Sequence, residues 1–499
     1  MFFTLCPFYI LCAKGWISSA DAFSMLAVSH SLVERGAIDV PPATPGAYPG
    51  QDGRTYSKYP IGKSIANVPG LVACKALARA PQGRYPEERV CGFTSSLLNP
   101  VLTALTCASL FALLLSLSFT ARESLLLTLA YGLATIAFPY AKDDMNEPLA
   151  ALLLLAAVSG ARAYLAGASF PPLWATATLL GALAATRYEM IPLVGVMAVI
   201  VAASPGERRT SDPRAFWRDA AWASTVLALI AAAVAAYNYR RFGSVLSTGY
   251  RVSSTESWEG FAGDATTWLS RGAALLVSPS RGMFFYMPFL ILAPVGFVAL
   301  CRQSRRDALL CAAPFLTQFV IVSGFNSWAG GWSWGPRYLL PVLALMIPSV
   351  GFALRRPLMQ TPAGKGLAWA LVIVSVLIQI SAVVVPWRRY LTELAVREAA
   401  GEPIVSTWSL RDAQPIAQWG QWAAVFGPGA APWRALSYDT HLADSSPAAA
   451  LTRSRGLNVP EFWFVHVYYW GVPVVLIVMA MAFLVAAMGM AARSLKASL

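Results

Sequence analysis

Apolar residues in this chain come in blocks of about 15 to 25, separated by short basic segments or longer mixed ones, which is the spacing that a hydrocarbon layer about 30 Å thick imposes on helices. Twelve such blocks lie near residues 2–16, 96–118, 124–140, 148–165, 173–187, 189–203, 218–238, 284–301, 307–324, 338–354, 366–386 and 466–490. The predicted fold class is an all-α polytopic membrane protein with about 11–13 transmembrane helices, and with amphipathic helices and loops on its outer face. The fifth and sixth blocks are short for an untilted crossing, and Arg187, Tyr188 and Glu189 between them suit a half-buried hairpin. Residues 1–12 suit a retained helix better than a cleaved signal, because no basic segment precedes them.

The first long polar segment, 17–95, opens with an amphipathic pattern. Ser19 suits an N-cap, Phe23, Leu26, Ala27, His30 and Val33 or their neighbours keep helical spacing, and Gly36 suits the stop. A helix of this kind lies along a membrane surface. Pro41, Pro42, Pro45, Pro49 and Gly50 then break regular structure, and a weaker amphipathic stretch covers Ile61–Leu77.

Composition agrees with lipid as the solvent: 57% of residues are hydrophobic, 13% are charged, and the mean hydropathy is +0.55. A water-soluble chain of 499 residues could not hide that much apolar surface. The net charge of +13 is spread over loops rather than gathered in a tail or stripe, which argues against a nucleic-acid partner.

Charge also orients the chain. Arg122, Arg162, the four arginines from Arg208 to Arg218, the three from Arg302 to Arg306, Arg355, Arg356, Lys365, Arg493 and Lys496 fall on one side, against Lys142, Arg187 and Arg337 in the alternate short loops. The positive-inside rule puts both termini in the cytoplasm and turns 17–95, 239–283 and 388–465 outward. The alanine- and arginine-rich composition leans toward a bacterial inner membrane. The expected organisation is a transmembrane module over 1–386 with outer loops 17–95 and 239–283, an outer-face segment over 387–465 suited to acceptor recognition, and a last helix with its cytoplasmic tail over 466–499.

Five cysteines lie in predicted spans, whereas Cys74 and Cys91 share the first outer loop, where an oxidising compartment would allow a disulfide that spacing alone leaves open. Trp387, Trp408, Trp419, Trp422 and Trp433 crowd the last outer segment and suit either interfacial anchoring or carbohydrate stacking.

Candidate chemistry gathers on the predicted outer face. Asp21 follows the first span, where an acid in a first helical turn also suits the helix dipole. A second acidic group, Asp143, Asp144 and Glu147, marks the junction of the third and fourth spans on the same face. Carboxylates from two loops at membrane level suit a general base for an acceptor hydroxyl. The cationic counterparts are Arg54 and Lys58, with Tyr56 between them, then Arg187, Arg281, and Arg337 with Tyr338. Headgroup contact explains most outer arginines, but glycine and proline crowd Lys58, Arg281 and Arg337, and a fixed irregular backbone is what a phosphate site uses. His30, His441 and His466 lack metal-ligand spacing, and neither a serine or cysteine nucleophile motif nor an ATP phosphate loop is present, so no metal or cofactor is expected. No internal repeat is visible, which weighs against a transporter.

At these residues the sequence resembles the C-type membrane glycosyltransferases, the class that includes protein O-mannosyltransferases and the lipid A aminoarabinose transferase. The resemblance rests on Ser-Ser-Ala-Asp21-Ala-Phe, Tyr56-Ser-Lys58-Tyr-Pro60, Asp143-Asp-Met-Asn-Glu147-Pro, the run from Asn238 to Tyr250, Ser280-Arg-Gly-Met-Phe-Phe-Tyr286 and Gly335-Pro-Arg-Tyr-Leu-Leu-Pro341, and it covers about the first 350 residues. It implies inverting transfer of a sugar from a polyprenyl phosphate to a lipid, glycan or protein acceptor; the alanine- and arginine-rich composition favours undecaprenyl or decaprenyl phosphate as the carrier, with dolichyl phosphate left open. Asp21 would be the base, and Lys58, Arg187 or Arg337 would neutralise the departing phosphate. Ala22 stands where many members carry a second acid, so a metal held by such a pair is not expected. A flippase for a lipid-linked sugar and a non-catalytic envelope-assembly subunit are the alternative readings.

Overall fold

The computed structural model describes residues 1–78, 86–168, 172–204, 210, 212–252, 260–401, 407–428, 430 and 459–498. Arg208, Trp433 and His441, with most of the stretch from 429 to 458, lie outside the described residues.

Each of the twelve apolar blocks falls on helix, although not all on one unbroken helix. The chain begins with α1 (Phe2–Cys12), α2 (Ala20–Arg35), the hairpin β1 (Ala47–Pro49) and β2 (Thr55–Ser57), and α3 (Gly62–Ala78). It continues with α4 (Glu87–Ser96), α5 (Leu98–Ser116), α6 (Ala121–Ala134), α7 (Ala137–Lys142), α8 (Glu147–Leu165), α9 (Leu173–Thr186), α10 (Ile191–Ala203) and α11 (Pro213–Phe242). Among the described residues, seven helical stretches are long and apolar enough to cross a membrane: 87–116, 147–165, 213–242, 305–324, 337–354, 362–384 and 474–495. Four shorter apolar helices cover 2–12, 173–186, 188–203 and 288–303. The third block breaks at Thr135, whose extended backbone separates α6 from α7. The twelfth is shifted toward the C-terminus: Trp463–Tyr469 is a separate helix, and the long one, Val474–Ser498, starts only after the left-handed Gly471.

The helices sort by how much of each is covered. In the stretch 337–354, 83% of the apolar window is buried, so it forms the centre of the bundle, whereas the window of the last helix is 6% buried and that of α11 is 11% buried. Helices apolar on all sides yet uncovered by protein present those sides to lipid. Each end of the bundle carries its own set of ion pairs. At one, Arg162 pairs with Asp307 at 2.9 Å and Arg355 with Glu123 at 2.6 Å; at the other lie Asp21, Asp143, Arg187 and Arg337.

The segment 17–95 is built largely as expected. Ser19 Oγ accepts from the Ala22 amide at 3.0 Å, and Gly36 closes α2 in the left-handed conformation. The buried face includes the predicted Leu26 but is otherwise carried by neighbouring positions: Ala22, Met25 and Ser29 turn inward, while Phe23, Ala27 and His30 are half-buried. Serines share the inner face with these apolar residues because α2 packs on α3 and β2, where the Ser24 and Ser57 hydroxyls meet at 2.8 Å and Ser29 donates to the Ser64 carbonyl at 2.8 Å. The proline-rich stretch also contains more order than expected. Tyr48 opposite Tyr56 and Pro49 opposite Thr55 register an antiparallel hairpin. Cys74 and Cys91 are joined as a disulfide that ties α3 to α4.

Candidate active site

Six chain segments meet at one end of the bundle around a cavity of about 170 Å³. The first turn of α2 contributes Asp21, the exit of the hairpin contributes Lys58 and Tyr59, and the start of α8 contributes Asn146 and Glu147. Arg187 caps the end of α9 and is followed by Glu189 in a single 3-10 turn; Tyr250 and the loop 327–338, with Arg337 and Tyr338, complete the wall.

Local architecture explains this convergence. Arg241, fully buried on α11, stacks on Tyr237 at 3.8 Å and donates to the Ser57 carbonyl and to Asn238 Oδ1, fixing the hairpin exit. Gly249 lets the chain pass close behind Lys58: a Cβ there would lie 2.1 Å from the Lys58 Cα, so only glycine fits where Tyr250 enters the wall. Gly330 and Gly331 both take left-handed conformations, turning the 327–338 loop back so that Arg337 faces the cavity. Behind that loop, Trp334 is buried and donates to Gln379 Oε1 at 3.1 Å.

The charges are interlocked. Asp21 Oδ1 accepts from the Tyr59 hydroxyl at 2.8 Å, and Oδ2 lies 3.4 Å from Arg337 Nη1. Glu147 Oε1 lies between two guanidiniums, 2.7 Å from Arg187 and 3.9 Å from Arg337. Arg187 also pairs with Glu189 and donates to Asn146 Oδ1 at 2.9 Å. The Tyr338 ring lies 5.2 Å from the Arg187 guanidinium and 5.0 Å from that of Arg337, and Lys58 Nζ lies 5.5 Å from the Tyr59 ring and 5.7 Å from that of Tyr250. Burial, then the Asp21 charge, pushes the Tyr59 hydroxyl well above the usual phenol range, so it stays a neutral donor. Three cations and three carboxylates thus line one small cavity with aromatic faces between them.

Of the residues singled out in the sequence, Asp21, Lys58, Glu147, Arg187, Arg337 and Tyr338 line this cavity. Arg54, Tyr56, Asp143, Asp144 and Arg281 do not. Arg54 is largely exposed on the hairpin turn near Asp39 and Asp52, and Tyr56 is buried with its hydroxyl donating to Asp52 at 2.8 Å. Arg281 stands behind the loop and donates to the carbonyls of Ser333 at 2.6 Å and Gly331 at 2.9 Å, which makes it a brace for the segment carrying Arg337.

Asp143 and Asp144 belong to a second buried cluster. Asp143 Oδ1 lies 2.5 Å from Lys14 Nζ and 2.9 Å from Arg388, Lys142 meets Glu461 at 3.1 Å, and Asp144 Oδ2 accepts from the Ser18 amide at 3.2 Å. Burial raises the Asp144 carboxyl to about 7, helped by the adjacent Asp143 charge. Burial acts on Asp143 as well, but Arg388 and Lys14 outweigh it and hold that carboxyl well below the ordinary range.

Tyr59, Tyr250, Asn146 and Glu189 are cavity residues that the sequence reading did not single out, and Lys14, Arg388 and Glu461 are likewise unforeseen partners of the second cluster. A signal existed for two of them: Lys14 lies inside the first predicted span, and Glu189 lies between two apolar blocks. Ionisable groups at membrane depth seldom stand without a purpose.

No known family's sequence pattern matches the chain, and no curated protein matches it. Two solved structures are similar to it, both of ArnT from Cupriavidus metallidurans, one bound to undecaprenyl phosphate and one in the apo state. In each the TM-score is 0.46 and the similarity covers 82% of this chain and 73% of that one, at 14% and 13% identity. The likeness is too distant to carry any residue's role across.

Proposed function

We propose that this chain is a glycosyltransferase that moves a sugar from a polyprenyl-phosphate carrier to a hydroxyl-bearing acceptor at the outer membrane face, with inversion. The observation that carries the reading is the convergence of Asp21 with Lys58, Arg187 and Arg337, from four separate segments, on one cavity at the end of an apolar helical bundle. An acid within reach of several cations suits a reaction that removes a proton at one atom and develops phosphate charge at another.

In the proposed step the acceptor oxygen attacks the anomeric carbon and its proton passes to Asp21. The bond from that carbon to the carrier oxygen breaks, and its electron pair leaves with the phosphate, which Lys58 and Arg337 neutralise. Tyr59 holds Asp21 from the side away from Arg337. The motif resemblance over the first 350 residues supports the same reading. The helix Trp387–Ala399 lies beside this end of the bundle through Arg388, and the segment that it opens is the proposed place of acceptor recognition.

The test is mass spectrometry of the protein purified with its native lipids. A co-purifying polyprenyl phosphate or its sugar ester, depleted in Arg337→Ala, is the expected result and would also identify the sugar. Bulk phospholipid alone in both proteins would favour an assembly subunit.

A further inference from the structure

The cavity contains its own competitor for the phosphate. Arg337, the cation best placed between Asp21 and Glu147, already has its Nη1 at 3.4 Å from Asp21 and its Nε at 3.9 Å from Glu147. Its side chain is 13% exposed, while that of Asp21 is 33% exposed and faces the cavity, so the pair is open to an anion that enters it. A phosphate oxygen and the Asp21 carboxylate compete for the same guanidinium edge, because both are anionic acceptors of the same donors.

We propose that the Arg337–Asp21 ion pair is an autoinhibitory latch: the carrier phosphate takes Arg337 from Asp21, and only then is Asp21 Oδ2 free to accept the acceptor's proton. This rests on the donor-site reading above and adds an order of binding to it, donor before acceptor. Three features suit the latch. The pair is longer than the Arg187–Glu147 contact at 2.7 Å and the Tyr59–Asp21 bond at 2.8 Å, and the other contact of Arg337, with Glu147, is longer still at 3.9 Å, so Arg337 is held less closely than the groups on either side of it. The Tyr59 hydroxyl grips the other carboxylate oxygen, Oδ1, and keeps Asp21 in place once Oδ2 is released. Glu147 remains held by Arg187, so a shift of Arg337 toward phosphate does not leave Glu147 buried without a cation. Without the carrier, Asp21 is masked, which guards against proton abstraction from an acceptor, or from water, that has no sugar to receive.

The latch predicts an affinity change opposite to that expected of a residue that helps bind the donor. The probe is undecaprenyl phosphate, and its binding to detergent-purified full-length protein is measured by native mass spectrometry. Asp21→Asn should bind it about three- to tenfold more tightly than wild type, since a partly exposed ion pair no longer has to be broken. Removal of any negative charge near an anion site also strengthens binding through the general field, so the decisive measurement is the double-mutant cycle with Arg337→Gln. If the latch exists, the gain from Asp21→Asn disappears in the Arg337→Gln background. If the gain is the same in both backgrounds, only the field acts and the latch is overturned; weaker or unchanged binding in Asp21→Asn overturns it as well. Failure of the donor-site reading looks different: Arg337→Gln and Lys58→Ala would then leave the affinity for undecaprenyl phosphate untouched.

Discussion

Asp143 and Glu147 lie four residues apart, yet they serve different neighbourhoods. Glu147 opens α8 and bridges two arginines of the cavity, while Asp143 turns toward Lys14, 129 positions away, and Arg388, 245 positions away. Asp21→Asn is expected to preserve the fold and lower sugar transfer by about 100-fold or more, the scale of a lost general base, and a normal rate in membranes supplied with the sugar lipid would remove Asp21 from the mechanism. Asp144 carries a prediction about stability. Its carboxyl is raised by burial from 3.8 to about 7, so between those values the folded chain keeps a proton that the unfolded chain has released, and stability falls as pH rises through that window. Asp144→Asn keeps an acceptor for the Ser18 amide without the charge. The variant's gain in melting temperature over wild type should therefore be larger at pH 8 than at pH 5, and a constant offset at both would refute the assignment. At this scale the sequence showed which groups carry charge, because glycine and proline beside Lys58 and Arg337 set them apart. It did not show which cation meets which acid, since those pairings join segments that only the finished bundle brings together.

Helices were legible to within a few residues wherever a run of apolar residues ended in a cap, as at Ser19 and Gly36. They were less legible where tertiary packing overrode the pattern. The inward face of α2 mixes Ser24, Ser29 and Ser31 with Met25, Leu26 and Val28, because serines that bond across to α3 and β2 are admitted among its apolar residues, and the hairpin at 47–57 is hidden among prolines that break helices but not edge strands. The disulfide between α3 and α4 closes a separation of 17 residues, which in a chain-entropy account stabilises by about 3 kcal/mol. Reductant, or Cys91→Ser, should lower the melting temperature of purified protein by several degrees; an unchanged melting curve would make the bridge dispensable. Gly249→Ala places a carbon against the Lys58 backbone, and overpacking of that kind costs about 1–3 kcal/mol. Its expected signature is weakened undecaprenyl phosphate binding in a protein that still purifies as a monodisperse species, and binding equal to wild type would show that the Tyr250 wall can move aside.

For the molecule as a whole, sidedness was argued from the sequence alone, by the uneven distribution of lysine and arginine between alternate loops. The proposed orientation puts Gly36 outside and Arg493 inside. In intact cells a membrane-impermeant maleimide should label Gly36→Cys above the background of the unsubstituted protein and leave Arg493→Cys unlabelled, and the reverse pattern would invert the topology. The second buried cluster bears on the chain's biogenesis. Lys142 donates to the Glu461 carbonyl and pairs with its carboxylate, 319 residues downstream. A ribosome that has made two thirds of this protein has thus delivered a buried lysine whose acidic partner has not yet been synthesised. Until Glu461 arrives, that lysine must be sheltered by water, by lipid headgroups or by the insertion machinery. The end of the chain therefore acts as a keystone: a product that stopped short of it would leave Lys142 without the carboxylate it pairs with, however complete the cavity around Asp21 and Arg337.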